Sequence, residues 1–81
     1  MYEWVASRQT VELFLQLNAS DRALLLQVFD ELAGNPFAQG DAVAVDDSGR
    51  ELQVLIRGHL VITFWSDHPE KEVRVLALTQ V

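Results

Sequence analysis

The sequence contains no cysteine, which excludes disulfide bonds, thiolate catalysis and cysteine-based zinc sites. This absence suits a reducing compartment, so we expect the protein to reside in the cytoplasm. No apolar run approaches the roughly 20 residues that a helix needs to cross a bilayer. The N-terminus also lacks the basic-then-apolar layout of a signal peptide. The sequence therefore predicts a soluble protein that does not bind membranes.

Basic residues are scarce in this chain. Six lysine and arginine residues stand against twelve acidic residues, for a formal net charge of −6. The basic residues are scattered and occur at Arg8, Arg22, Arg50, Arg57, Lys71 and Arg74. Proteins that bind nucleic acids usually present a basic face that displaces counterions from phosphates. The composition therefore argues against RNA or DNA as the primary ligand.

Apolar residues recur with helical spacing between residues 8 and 33. In the first part of this stretch, Val11, Phe14 and Leu15 mark the apolar side of a helix. Periodicity leaves open whether the stretch is one long helix or a helical hairpin. Asn18 favours the hairpin, because asparagine is a preferred cap at helix N-termini.

The other segments show the apolar and polar alternation of strands. The predicted strands cover residues 2–6, 42–45, 50–57, 60–67 and 72–78. Gly58-His59 suits a two-residue hairpin turn of type II′. With 81 residues, of which 49% are apolar, the chain predicts a single domain over residues 1–81. The order β-α-α-β-β-β-β predicts an α+β fold, with an antiparallel sheet and a two-helix hairpin packed on one face.

The turn at Gly58-His59 also assigns side chains to the two faces of the sheet, because it sets the hairpin register. One face would be left exposed if the helices packed on the other. Its residues are Leu55, Leu60, Ile62 and Phe64, with Gln53 in the same row. Exposed apolar patches usually mark interaction surfaces, so this row is a predicted partner-binding surface. The alternative is that the helices and the loop at 37–41 cover enough of both faces.

Few residues offer catalytic or metal-binding chemistry. The glycines lie too far apart for a phosphate-binding loop, and His59 and His68 match no zinc or iron spacing. We therefore predict neither a cofactor nor a metal. Arg57 and His59, near Arg50, form the one cluster that could hold a phosphate and move a proton. The alternative is that these polar residues only solvate one end of the sheet, and their acidic and apolar neighbours favour this alternative.

Four features occur together along nearly the whole chain. They are an aromatic first strand, paired helices ending in Leu32-Ala-Gly-Asn-Pro36, a hairpin over 52–67 with a glycine at its turn, and the last strand Glu72-Val-Arg-Val-Leu-Ala-Leu78. In these features the chain resembles the RelE/ParE toxin family, also called the plasmid-stabilisation toxin fold. The resemblance implies a bacterial protein related to type II toxin–antitoxin systems. RelE relatives cut mRNA in the ribosome with basic residues on an open sheet face, and ParE relatives inhibit gyrase.

This sequence departs from the family where RelE relatives carry their RNA-cleaving residues. The expected arginine after the turn falls on Leu60 or Val61, and the paired strand lysines fall near Glu51 and Gln53. The resemblance therefore implies a toxin-fold protein that binds a protein, either an antitoxin-like partner or a second copy in a homodimer. The alternative is a divergent toxin that acts as a ribosome-dependent mRNA endoribonuclease. Under that alternative, the residues implied to be catalytic are Arg57, His59 and Arg74.

Overall fold

The computed structural model describes all 81 residues and contains two helices and one five-stranded sheet. The elements are β1 (Glu3–Ala6), α1 (Arg8–Gln16), α2 (Ala19–Gly34), β2 (Ala42–Val45), β3 (Glu51–Arg57), β4 (Leu60–Asp67) and β5 (Glu72–Gln80). The order β-α-α-β-β-β-β confirms the predicted α+β class, and every strand end lies within two residues of its prediction. Neither helix is long and apolar enough to cross a membrane.

The sheet is mixed. Its strand order is β1-β5-β4-β3-β2, in which β2 to β5 form an antiparallel meander and β1 pairs with β5 in parallel. The predicted antiparallel sheet is thus observed for β2 to β5, and β1 adds one parallel pair at the edge. The two helices carry the chain from β1 to the far edge, where β2 begins, and the meander then returns to β1. The meander reverses direction three times, so β5 runs opposite to β2, and β1, which is parallel to β5, also runs opposite to β2.

The two helices form a hairpin whose members begin at capping residues. Ser7 and Asn18 are the N-caps of α1 and α2. Their side-chain oxygens accept hydrogen bonds from the backbone N–H groups of Thr10, at 3.2 Å, and Asp21, at 2.8 Å. The backbone at Asn18 is extended (φ −70°, ψ 167°), so the helical stretch breaks there. The hairpin that the cap at Asn18 favoured is confirmed.

The helices pack on one face of the sheet and enclose the hydrophobic core between them and the strands. The sheet contributes Leu55, Leu60, Ile62, Phe64, Val73, Val75 and Leu78 to this core. From the helical hairpin come Leu17, Leu25, Val28, Phe29 and Leu32. Trp4 of β1 and Phe14 of α1 pack against the margin of the same cluster. We call the other side of the sheet, which carries no helix, the open face.

The prediction of an exposed partner-binding surface is wrong, because its apolar residues face the helices. Leu55, Leu60, Ile62 and Phe64 are each at most 6% exposed. Gln53, the polar member of the row, is half-buried. Its side-chain oxygen accepts a hydrogen bond from the backbone N–H of Gly40 at 2.8 Å. The four apolar residues therefore present no surface to a partner, and Gln53 lies at the border of the interior.

The error does not lie in the hairpin register, which is confirmed around Gly58-His59. Gly58 has a φ of +59°, as the first position of a type II′ turn requires. The strand that selects the face is β5, where Val73 and Val75 extend the apolar row across a third strand. The alternate residues, Glu72 and Arg74, are charged and lie on the open face. On the helix-covered face, β5 presents Val73, Val75 and Leu78. Burying charged side chains costs more free energy than burying apolar ones, so the helices cover this face.

Candidate functional site

The three candidate catalytic residues do not form one site. Arg57 and His59 lie beside each other at the β3–β4 turn. Arg74 lies on the open face, paired with Trp65, which is five residues along β4 from the turn. At about 3.4 Å per strand residue, the two places are about 17 Å apart. The structure therefore places Arg57 and His59 at one end of the β3–β4 hairpin and Arg74 away from them.

Each of the three side chains also contacts a carboxylate of the same chain. The pairs are Arg57–Asp41 (3.8 Å), His59–Asp21 (2.9 Å), Arg74–Asp67 (3.1 Å) and Arg74–Glu72 (2.9 Å). A carboxylate in this position offsets the positive charge that would attract a phosphate. It also accepts hydrogen bonds from the N–H groups that a phosphate would use. Each of the three side chains therefore has an acidic neighbour within 4 Å in the same chain.

The pair of His59 and Asp21 joins two elements that are distant in sequence. Asp21 lies in the first turn of α2 and is 8% exposed. Its Oδ2 atom lies 2.9 Å from Nε2 of His59, at the tip of the β3–β4 hairpin. The contact fastens the hairpin to the N-terminus of α2. Sequence reasoning missed it because the two residues are 38 positions apart.

His68 lies at the other end of β4 in a small aromatic cluster. Its ring stacks on Phe37, with centroids 4.6 Å apart and an interplanar angle of 16°. Its Nδ1 atom forms a 2.7 Å hydrogen bond with the hydroxyl group of Tyr2. A cavity of about 250 Å³ beside the cluster is lined by Pro36, Phe37, Ala38, Gln39, Glu51, Gln53, Trp65, Ser66 and His68. No three His, Cys, Asp or Glu side chains lie close enough together to hold a metal ion.

The open face is apolar at its centre and carries two arginines near one end. Its more buried residues include Leu52, Val54, Val61, Thr63, Trp65 and Ala77. The guanidinium carbon of Arg50 lies 4.0 Å from the centroid of the Trp65 ring, and that of Arg74 lies 5.9 Å away. Both guanidinium groups thus interact with the indole as cations over an aromatic face. The arginines of the open face are engaged within the fold.

An apolar groove runs between α1 and α2 above β1. It has a volume of about 240 Å³ and is lined by Trp4, Ala6, Thr10, Val11, Phe14, Leu15, Leu26 and Phe29. We call this feature the interhelix groove. Trp4 and Phe29 are in contact within it, with ring centroids 5.0 Å apart. Leu15 is 66% exposed, and Val11 and Leu26 are exposed as well, so the groove opens to solvent through apolar side chains.

The groove exists because α1 carries more apolar residues than the sheet buries. The sequence predicted that Val11, Phe14 and Leu15 would share the apolar side of this helix. Phe14 packs against the core, together with Leu13, whereas Val11 and Leu15 are exposed. The signal was present in the sequence: apolar residues occupy five of the seven positions from Val11 to Leu17, too many for a single buried stripe.

Comparisons of the chain with protein-family models, with curated proteins and with solved structures found no match. The resemblance to the RelE/ParE family therefore depends on the sequence features described above and stays a prediction.

Proposed function

We propose that this chain is a cytoplasmic protein-binding module with a RelE/ParE-like fold, without ribonuclease activity, that binds its partner in the interhelix groove. The observation that carries the proposal is the character of the groove. Seven of its eight lining residues are apolar, and Val11, Leu15 and Leu26 among them are exposed to water. Covering such a surface with a partner removes apolar area from water, which favours association.

The cavities of the structure support a binding role over a catalytic one. None of the three cavities is lined by more than one of the candidate catalytic residues Arg57, His59 and Arg74. General acid–base chemistry requires the reacting groups to lie within hydrogen-bond reach of a common substrate atom. The ribonuclease alternative therefore receives no support from the placement of these three residues.

The shape of the groove fits a helix of the partner. Its two walls are α1 and α2, and Val11 and Leu15 lie one turn apart along α1. A third helix with apolar residues at positions i, i+3 or i+4, and i+7 would pack its ridge between them. The proposed occupant is thus an amphipathic helix.

The charge of the chain favours a basic partner over a second copy of itself. Two copies, each with a net charge of −6, repel one another, whereas a helix that carries lysine or arginine is attracted. A carboxylate also lies close to the groove, since the exposed Asp30 accepts a hydrogen bond from Nε1 of Trp4 at 3.0 Å. The proposed partner is therefore an antitoxin-like protein with a basic amphipathic helix.

Trp4 provides a spectroscopic test of binding in the groove. In a Trp65→Phe background it is the only tryptophan, so its fluorescence reports on the groove alone. We expect the emission to shift and saturate when a synthetic amphipathic helix of leucine and lysine is added. Leu15→Glu in this background should weaken binding by about tenfold or more, because it places a charge among the apolar contacts.

The matched control is Val45→Glu, at the opposite edge of the sheet. Val45 is 67% exposed, against 66% for Leu15, and both substitutions add one negative charge. A purely electrostatic interaction with the basic helix would respond alike to the two substitutions. Equal effects of Leu15→Glu and Val45→Glu would therefore contradict binding in the groove.

Expression in a bacterial host tests the absence of ribonuclease activity. We expect normal growth and a normal rate of protein synthesis after induction of the wild-type chain and of the Arg57→Ala/His59→Ala variant. Growth arrest that the double variant relieves would overturn the proposal and support the endoribonuclease. Light scattering of the purified protein completes the test, since a stable dimer at micromolar concentration that Leu15→Glu dissociates would make a second copy the occupant.

A further inference from the structure

The outer edge of β2 is a second surface without a partner. β2 is the terminal strand of the sheet, so no strand lies on its outer side. The backbone N–H of Asp46 donates to the carbonyl of Arg50 at 3.0 Å, which makes these two residues a hydrogen-bonded pair in register with the β2–β3 ladder. Hydrogen-bonded pairs alternate along an antiparallel ladder. Val43 and Val45 therefore direct their N–H and C=O groups outward, and we call this row the β2 edge.

The β2 edge is only four residues long, but it lacks the other features that keep edge strands from pairing with other chains. The strand reads Ala-Val-Ala-Val and contains no charge, proline or bulge. The side chains of Val43 and Val45 are 56% and 67% exposed. The neighbouring edge of β3 is covered, by contrast, because Oδ2 of Asp41 accepts a hydrogen bond from the N–H of Ile56 at 2.8 Å.

Both ends of the β2 edge are held in place by the chain itself. Before the strand, Gly40 lies against the backbone of β3 so closely that a Cβ atom there would be 2.5 Å from the carbonyl oxygen of Val54. After the strand, Oδ1 of Asp46 accepts hydrogen bonds from the N–H groups of Ser48 and Arg50, both at 2.9 Å. A template held at both ends is ordered before binding, which lowers the entropic cost of adding a strand.

Carboxylates flank the β2 edge on both sides: Asp41, which contacts Arg57, precedes it, and Asp46, which contacts Arg50, and Asp47 follow it. The chain as a whole carries a net charge of −6, so its field attracts a basic segment. We propose that the β2 edge binds an extended segment of another protein by antiparallel strand addition. This segment has β-branched residues at its centre and lysine or arginine at both ends. In the register that hydrogen-bonds both valines, its ends reach past the strand to the bend at Asp41 and to the turn that contains Asp46 and Asp47.

The same geometry disfavours a second copy of this chain as the added strand. When two β2 strands pair antiparallel so that Val43 of each bonds to Val45 of the other, the aspartate before one strand lies near the turn with Asp46 and Asp47 after the other. Two copies, each with a net charge of −6, also repel one another. The charges of the flanks thus select a basic partner. The β2 edge lies across the sheet from the interhelix groove, so this inference does not depend on the proposed function.

The test uses two blocked seven-residue peptides that differ only in their end charges. One is Lys-Thr-Val-Thr-Val-Thr-Lys, and the other has glutamate in place of both lysines. We expect the lysine peptide to bind the wild-type protein about tenfold more tightly or better. In the complex, hydrogen exchange should slow at the amides of Val43 and Val45. Equal binding of the two peptides, or slowed exchange confined to other residues, would overturn the inference.

A proline substitution isolates the backbone of the β2 edge. Val45→Pro removes one outward N–H and no hydrogen bond to β3, so the sheet is retained. The lysine peptide should bind this variant about tenfold more weakly or worse, and Val45→Thr, which keeps the N–H, should bind as the wild type does. Undiminished binding by Val45→Pro would refute strand addition. Slowed exchange at Val43 and Val45 that grows with concentration of the protein alone would instead identify a second copy as the occupant.

Discussion

The two isoleucines of the chain test which face of the sheet the helices cover. Ile62 is fully buried under the helices, whereas Ile56, on the neighbouring strand and the open face, is 49% exposed. Replacing each with alanine removes the same atoms, so any difference in stability arises from the surroundings. We expect Ile62→Ala to lower the free energy of unfolding by about 2–5 kcal/mol, as loss of a buried side chain in a close-packed core does. Ile56→Ala should cost on the order of 1 kcal/mol, because about half of the isoleucine transfer free energy of 1.5–3 kcal/mol is at stake.

Urea denaturation followed by far-ultraviolet circular dichroism measures both values. A domain of 81 residues has a stability on the order of 4–12 kcal/mol, so the loss at Ile62 is measurable against it. If Ile62→Ala leaves too little folded protein, Ile62→Val and Ile56→Val provide the same comparison, with a cost of about 0.5–1.5 kcal/mol at the buried site. Equal losses at the two positions, or a larger loss at Ile56, would refute the assignment of the helix-covered face.

Two further predictions concern the segments around β2. Gly40→Ala should lower the urea midpoint, at a cost of about 1–3 kcal/mol, because the added Cβ atom would lie 2.5 Å from the Val54 carbonyl oxygen. Gly34→Ala should raise the urea midpoint slightly, because Gly34 is helical and has no atom within 4 Å of the added Cβ. Changes of the same sign in the two variants would contradict this prediction. Hydrogen bonds from the Ser48 side chain and the Arg50 backbone hold the pKa of Asp46 below its ordinary value of 3.8. The ionised carboxylate therefore stabilises the folded state above pH 3.8, and this stabilisation is lost as the pH falls through the lowered pKa. Asp46→Asn does not titrate there, so the difference in urea midpoint between this variant and the wild type should shrink from pH 7 to pH 3, and a difference independent of pH would count against the turn geometry.

The candidate sites differ in how far the sequence predicts them. β2 was predicted with its observed bounds, and its flanking aspartates are visible in the chain. Its place at the sheet edge depends on the strand order, which no local pattern encodes. The interhelix groove was not predicted, because the excess of apolar residues on α1 does not show which of them the sheet leaves exposed. The residues of both surfaces can thus be read from the sequence, but their exposure depends on the tertiary structure.

Features that depend on near neighbours in the chain were readable from the sequence. The cap at Asn18 and the turn at Gly58-His59 involve residues at most four positions apart, and the strands follow from short-range alternation. The fold alone decided which face the helices cover, where β1 pairs and what His59 contacts. These outcomes result from competition between distant segments for burial and for hydrogen-bonding partners. The apolar row of Leu55, Ile62 and Phe64 was identified correctly as a set, but only the addition of β5 made it the interior rather than the surface.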